Sequence, residues 1–130
     1  MSGISTAARK AKGRNLQKLV RDAVLERFPH LTKDDVRSTA MGQGGMDVQL
    51  SPLAGASFPY AVECKRNKSF AVYGPYSQAS TNAGKYEPLL VIQGDRQKPL
   101  AIVDFQHFME LVKNVRETSE KAISTSESNG

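Results

Sequence analysis

Three residues in this sequence have the types and order to handle a phosphate ester: Asp47, Glu63 and Lys65. The stretch "PYAVECKRNK", residues 59–68, reads as a strand from Pro59 to Cys64, with Lys65 directly after it. Side chains alternate faces along a strand. Glu63 and Lys65 therefore point to one side, and Cys64 points to the other with Val62 and Tyr60. Asp47 opens an earlier strand, just after the glycine loop "GQGG" at residues 42–45. If the two strands are antiparallel neighbours joined through residues 52–57, Asp47 approaches Glu63. Two carboxylates held close repel each other and raise each other's pKa. A hard divalent cation relieves that repulsion, and Mg²⁺ takes oxygen ligands while keeping several waters. The backbone carbonyl of Cys64 can supply a further oxygen. Lys65 can orient a water bound to that cation or offset charge on a phosphate. The set predicts phosphodiester hydrolysis with Mg²⁺, or Mn²⁺ in its place. The plainer alternative is a Glu63–Lys65 ion pair on an exposed strand edge, worth little.

The elements that must position these residues follow from hydrophobic period. Leu16, Leu19, Val20, Ala23, Val24 and Phe28 recur at helical spacing from Asn15, and Pro29 ends the helix. "VRSTAM" within 34–41, "MDVQLS" and "FPYAVECK" read as three strands, with "PLAGAS" turning the chain between the last two. A helix is expected from Pro75 to about Gly84. "PLLVIQ" is a nearly continuous apolar run, as expected of a strand buried on both faces. "PLAIVDF" returns as another strand. Asp104 can cap a last helix with Phe105, Phe108, Met109, Val112 and Val115 on its inner face. The expected order is αβββαββα, a single α/β domain with a mixed sheet flanked by helices. Its limits are 13–116, between a flexible basic arm at 1–12 and a disordered tail at 117–130.

The 130 residues suffice for one domain with a core. No run approaches the length of a membrane span. A single cysteine excludes an internal disulfide and a Cys-rich zinc site. With no apolar leader in "MSGISTAARKAKGRN", a cytoplasmic setting is expected. The net charge is +5, and its distribution is uneven. Arg9, Lys10, Lys12, Arg14, Lys18 and Arg21 occur with no acidic residue among them, which suggests a polyanion partner. A solvated basic helix start accounts for the same pattern. His30 and His107 have no metal-like spacing. Tyr73 and Tyr76 are expected to pack on the sheet.

"MD" at 46–47 followed by "ECK" at 63–65 resembles the PD-(D/E)XK nuclease superfamily. Within it the chain is similar to archaeal-type Holliday-junction resolvases and to small phage nucleases of that fold. "KGRNLQKLV", residues 12–20, resembles the first helix of those resolvases. "YSQAS" puts Gln78 where the superfamily often carries a glutamine. The resemblance implies a restriction-endonuclease-like core and a homodimer cutting branched DNA such as four-way junctions. It implies Asp47 and Glu63 as metal ligands with the Cys64 carbonyl, Lys65 assisting the nucleophile and Gln78 orienting it. Arg9, Lys10, Lys12, Arg14 and Gln43 would contact DNA. Two positions depart from the pattern. Met46 replaces the proline, and Gln17 stands at the site margin where the resolvases carry a metal-binding glutamate. Glu26 cannot replace it, since nine residues on it faces the opposite side of the helix. Other readings are a general or nicking phage DNA-processing nuclease of the same fold, and a non-catalytic DNA-binding protein.

Overall fold

The computed structural model describes residues 6–40, 44–67 and 71–128. Helix α1, Thr6–Arg27, buries Leu16, Val20 and Val24, one every four residues along one face. It begins well before Asn15. The expected flexible arm is helical from Thr6, because Ala7, Ala8, Lys10, Ala11 and Lys12 are all strong helix formers. Strands β1, Val36–Ser38, and β2, Val48–Leu50, pair antiparallel. Then comes α2, Pro52–Ser57, where the sequence reading had only a turn. The Ser51 hydroxyl accepts from the Ala54 N–H at 3.1 Å, and Pro52 occupies the first helical position.

Strand β3, Tyr60–Arg66, runs parallel to β4, Glu87–Gln93, with α3, Tyr73–Asn82, as the crossover. Strand β5, Leu100–Ile102, pairs antiparallel with β4. Helix α4 is Phe105–Ser128. Among the described residues the order is thus αββαβαββα in a small mixed α/β domain with four helices and two sheets, β1-β2 and β3-β4-β5. The single sheet expected from sequence is split. Among the described residues no ladder joins β2 to β3; across the gap the Asp47 N–H donates to the Val62 carbonyl at 3.0 Å.

The core lies between α1 and one face of the sheets. Leu16, Val20 and Val24 pack with Val36, Val48, Val62, Leu89 and Val91. Val62 stands beside Leu89, and Cys64 beside Val91, in the β3–β4 register. The opposite face is buried as well, through Ala61, Glu63 and Leu90. Helix α3 packs on β3 and β4 and brings Ala79 and Ala83 to that side. The central strands are therefore covered twice, as the unbroken apolar run of β4 requires.

Helix α4 departs from expectation in two ways. It continues through residues 117–128, where the sequence predicts a disordered tail. Glu117 and Lys121 stand in the favoured i, i+4 order for a helix. Its apolar stripe is also not an inner face. Phe105, Phe108, Met109, Val112 and Val115 are all exposed, at 41–68%. What holds α4 is its first turn. Asp104 caps it, accepting from the His107 N–H at 3.0 Å. The His107 ring lies 2.7 Å from the Tyr60 hydroxyl and 3.6 Å from Glu87. His107 is thus a structural anchor, while Tyr73 stays 87% exposed instead of packing. No helix among the described residues is long and apolar enough to cross a membrane.

Candidate functional site

The site grows from the gap between the two sheets. Gly45, just before it, has φ +93°, a left-handed conformation that favours glycine. The Asn82 side-chain amide of α3 donates to the Gly45 carbonyl at 3.4 Å. The Thr39 hydroxyl donates to the Met46 carbonyl, and the Thr39 N–H donates to the Asp47 carbonyl at 2.8 Å. The backbone of Asp47 is therefore clamped between the end of β1 and the middle of β3. Its side chain is fixed too: the Asp47 carboxylate accepts from the Cys64 N–H at 2.8 Å.

That clamp sets Asp47 against Glu63. Glu63 is only 3% exposed, on the face of β3 covered by α3. Burial, then the nearby Asp47 carboxylate, pushes the Glu63 carboxyl up from 4.5 to about 7. Lys65 opposes the shift, with its Nζ 3.4 Å from Glu63 Oε2. The alternation rule placed Glu63 and Lys65 on one side, and they meet there. The pair is not a surface ion pair, because its carboxylate is buried while the lysine is one-third exposed. Cys64 faces the α1 core as expected. Desolvation, then the two carboxylates, pushes its thiol far up, so it stays protonated and unreactive.

The other candidates are not drawn into this cluster. Gln78 is exposed on α3, and its side chain has no hydrogen bond among the described residues. Gln17 is 8% exposed on α1, in the layer opposite α3, and its buried side-chain oxygen has no hydrogen-bond partner among the described residues. Gln43 lies outside the described residues. Arg9, Lys10 and Arg14 are exposed on α1 and have no ion-pair partner among the described residues. Lys12 differs: it pairs with Asp95 at 3.2 Å, as does Arg66 at 2.7 Å. Those hydrogen bonds hold the Asp95 carboxyl below its ordinary range. They tie α1, the end of β3 and the β4–β5 turn together.

Sequence reasoning missed Thr39 and the Lys12–Asp95–Arg66 cluster. Asp95 sits in the turn "GDRQK", where only the fold brings it to α1 and β3. A hydroxyl such as Thr39, buried to hold a backbone carbonyl, leaves no pattern in the sequence.

Chemically, the arrangement is a buried carboxyl poised near neutrality, a second carboxylate beside it and an ammonium at the solvent side. Such a group can hold or release a proton near pH 7. Among the described residues no group of three or more Asp, Glu, His or Cys side chains could hold a metal. Two carboxylates and a main-chain oxygen remain as donors. That sparse oxygen set suits a cation that keeps most of its waters. No family model, curated protein or solved structure matches the chain.

Proposed function

We propose that the chain is a metal-dependent DNA endonuclease of the PD-(D/E)XK type with a restriction-endonuclease-like core, acting on branched DNA such as four-way junctions as a homodimer. The observation that carries this reading is the mutual approach of Asp47 and Glu63, with Lys65 3.4 Å from Glu63. A buried carboxyl pushed up by desolvation and by a second carboxylate costs stability, and such perturbed groups cluster at functional sites. Asp47 and Glu63 would hold Mg²⁺ or Mn²⁺ together with the Cys64 carbonyl. When bound, such a cation polarises a phosphodiester and makes its water more acidic.

The chain's own residues do the rest. The Cys64 N–H fixes the Asp47 carboxylate beside Glu63. Glu63 is held away from bulk solvent, which strengthens its interaction with a cation. Lys65 reaches from that buried carboxylate toward solvent, where a phosphate would lie, and offsets charge building there. Gln78, exposed on α3, would orient the attacking water. Arg9, Lys10 and Arg14 offer unpaired charge to DNA phosphates, giving salt-sensitive binding with little sequence information. Lys12 is shared with Asp95 and contributes less.

The test is substitution. Asp47→Asn and Glu63→Gln should each lose cleavage of a junction while keeping its binding, because separate residues serve the metal and the phosphates, and Lys65→Ala should lose cleavage while metal still binds. Cleavage retained in Glu63→Gln would remove that residue from the chemistry. Junction binding without cleavage in the wild-type chain would favour the non-catalytic reading, for which Gln17 in place of a glutamate is the motive.

A further inference from the structure

The longest helix of the fold has its apolar side uncovered. Of the described side chains of α4, only His107 is even half-buried. Phe105, Phe108, Met109, Leu111, Val112 and Val115 are 40–68% exposed. Positions 105, 108, 112 and 115 alternate three and four residues apart, the spacing of a helix-pairing seam, and Met109 and Leu111 flank it. The stripe does not end at Phe105. That ring also lines a groove of about 300 Å³ shared with Val72, Tyr73, Tyr76, Ile102 and Val103. A helix of this pattern in water normally buries its stripe against something.

We infer that the α4 stripe is the surface through which two copies of this chain pair. Area is the first argument. Side chains of these sizes, at the exposures given, present roughly 550 Å² of apolar surface per copy, at the upper end for a monomer's largest patch. Two copies together bring about 1,100 Å², just past the ~1,000 Å² a specific interface needs. The groove beside Phe105 adds further surface and a socket for a partner's side chain.

Charge is the second argument. Residues 105–128 carry four glutamates against two lysines and one arginine, so α4 is nearly neutral within a chain of net charge +5. The basic residues are concentrated on α1 instead. Two α4 helices therefore meet without the repulsion that other faces would bring, and the stripe offers nothing to a polyanion. A two-fold pairing uses the same patch on both copies, which is what a self-complementary apolar stripe supplies. The inference rests on the homodimer proposed above and assigns its surface; none of these residues belongs to the carboxylate site, so a dimer that survives their substitution refutes the surface and leaves the homodimer standing.

Sedimentation equilibrium of the full chain tests this. Between roughly 1 and 100 µM protein, the wild-type mass should rise toward twice 14.2 kDa. Val112→Glu should remain at a single-chain mass with an unchanged helical circular-dichroism spectrum, since Val112 is already exposed in one copy. Phe108→Gln, a milder change, should weaken the dimer at least tenfold. A wild-type chain that stays single across the range overturns the inference, even if another protein is found on the stripe. So does a dimer that survives both substitutions.

Discussion

Replacing Glu63 with glutamine should stabilise the metal-free fold, and only at neutral to alkaline pH. The Glu63 carboxyl is pushed from 4.5 to about 7, first by burial and then by Asp47. Each unit is worth about 1.4 kcal/mol, so full ionisation in the folded chain costs on the order of 3 kcal/mol. Between those two values the folded chain holds more protons at this site than the unfolded one. Stability from this group is therefore complete below about pH 4.5 and is lost as pH rises through about 7. Glutamine does not titrate. Asp35 and Asp95, whose carboxyls are held low by hydrogen bonds, are common to both chains and cancel in the comparison. Urea unfolding of wild type and Glu63→Gln should give nearly equal stabilities near pH 4.5. At pH 8 the variant should lead by up to about 3 kcal/mol. Mg²⁺ at pH 8 should then stabilise the wild type and close the gap, because only the wild type offers two carboxylates. A gap that does not change with pH would show that Glu63 is not the strained acid. A Mg²⁺ effect equal in both chains would place the cation elsewhere.

Other outcomes follow from the packing and the charge pattern. Gly55→Ala should lower the unfolding free energy measured in urea by roughly 1–3 kcal/mol, since an added Cβ would collide with the Tyr86 ring. Arg14→Ala and Lys18→Ala, on the exposed side of α1, should each reduce the salt slope of DNA binding by up to about 0.9. An unchanged slope would mean those charges are only solvated. Gln17→Glu should destabilise the metal-free chain at pH 8 by roughly 3–5 kcal/mol, because it puts an unpaired charge where a buried amide oxygen already lacks a partner. Recovery of stability on adding Mg²⁺ would show that Gln17 borders the cation; no recovery would separate it from the site.

Periodicity named most of the elements because it reports which residues share a face. The α1 face of Leu16, Val20 and Val24, the doubly buried β4 and the Glu63–Lys65 pairing were all readable in that way. The Asp104 cap was legible from residue type alone. Helix α2 announced itself through Ser51 and Pro52, a capping pair that a short apolar-small stretch disguised as a turn. Whether a face is covered is a different matter. The stripe of α4 has the spacing of a buried side, and nothing in the spacing says that the rest of the chain fails to reach it. The split between β2 and β3 was hidden for a related reason. It depends on the Thr39 hydroxyl and on backbone groups of Thr39, Met46, Asp47 and Val62, and backbone groups are ones that nearly every residue possesses. The approach of Asp47 to Glu63 was expected through a paired ladder. It is achieved by that clamp instead.

The most direct measurement is cleavage of an end-labelled four-way junction and of a linear duplex of equal length by the wild-type chain, with Mg²⁺ and with EDTA. Cutting of the junction in Mg²⁺, its absence in EDTA and weaker cutting of the duplex are the results that the proposed function predicts. Equal cutting of both DNAs would contradict the junction preference, and no cutting of either in Mg²⁺ or Mn²⁺ would contradict the nuclease assignment itself.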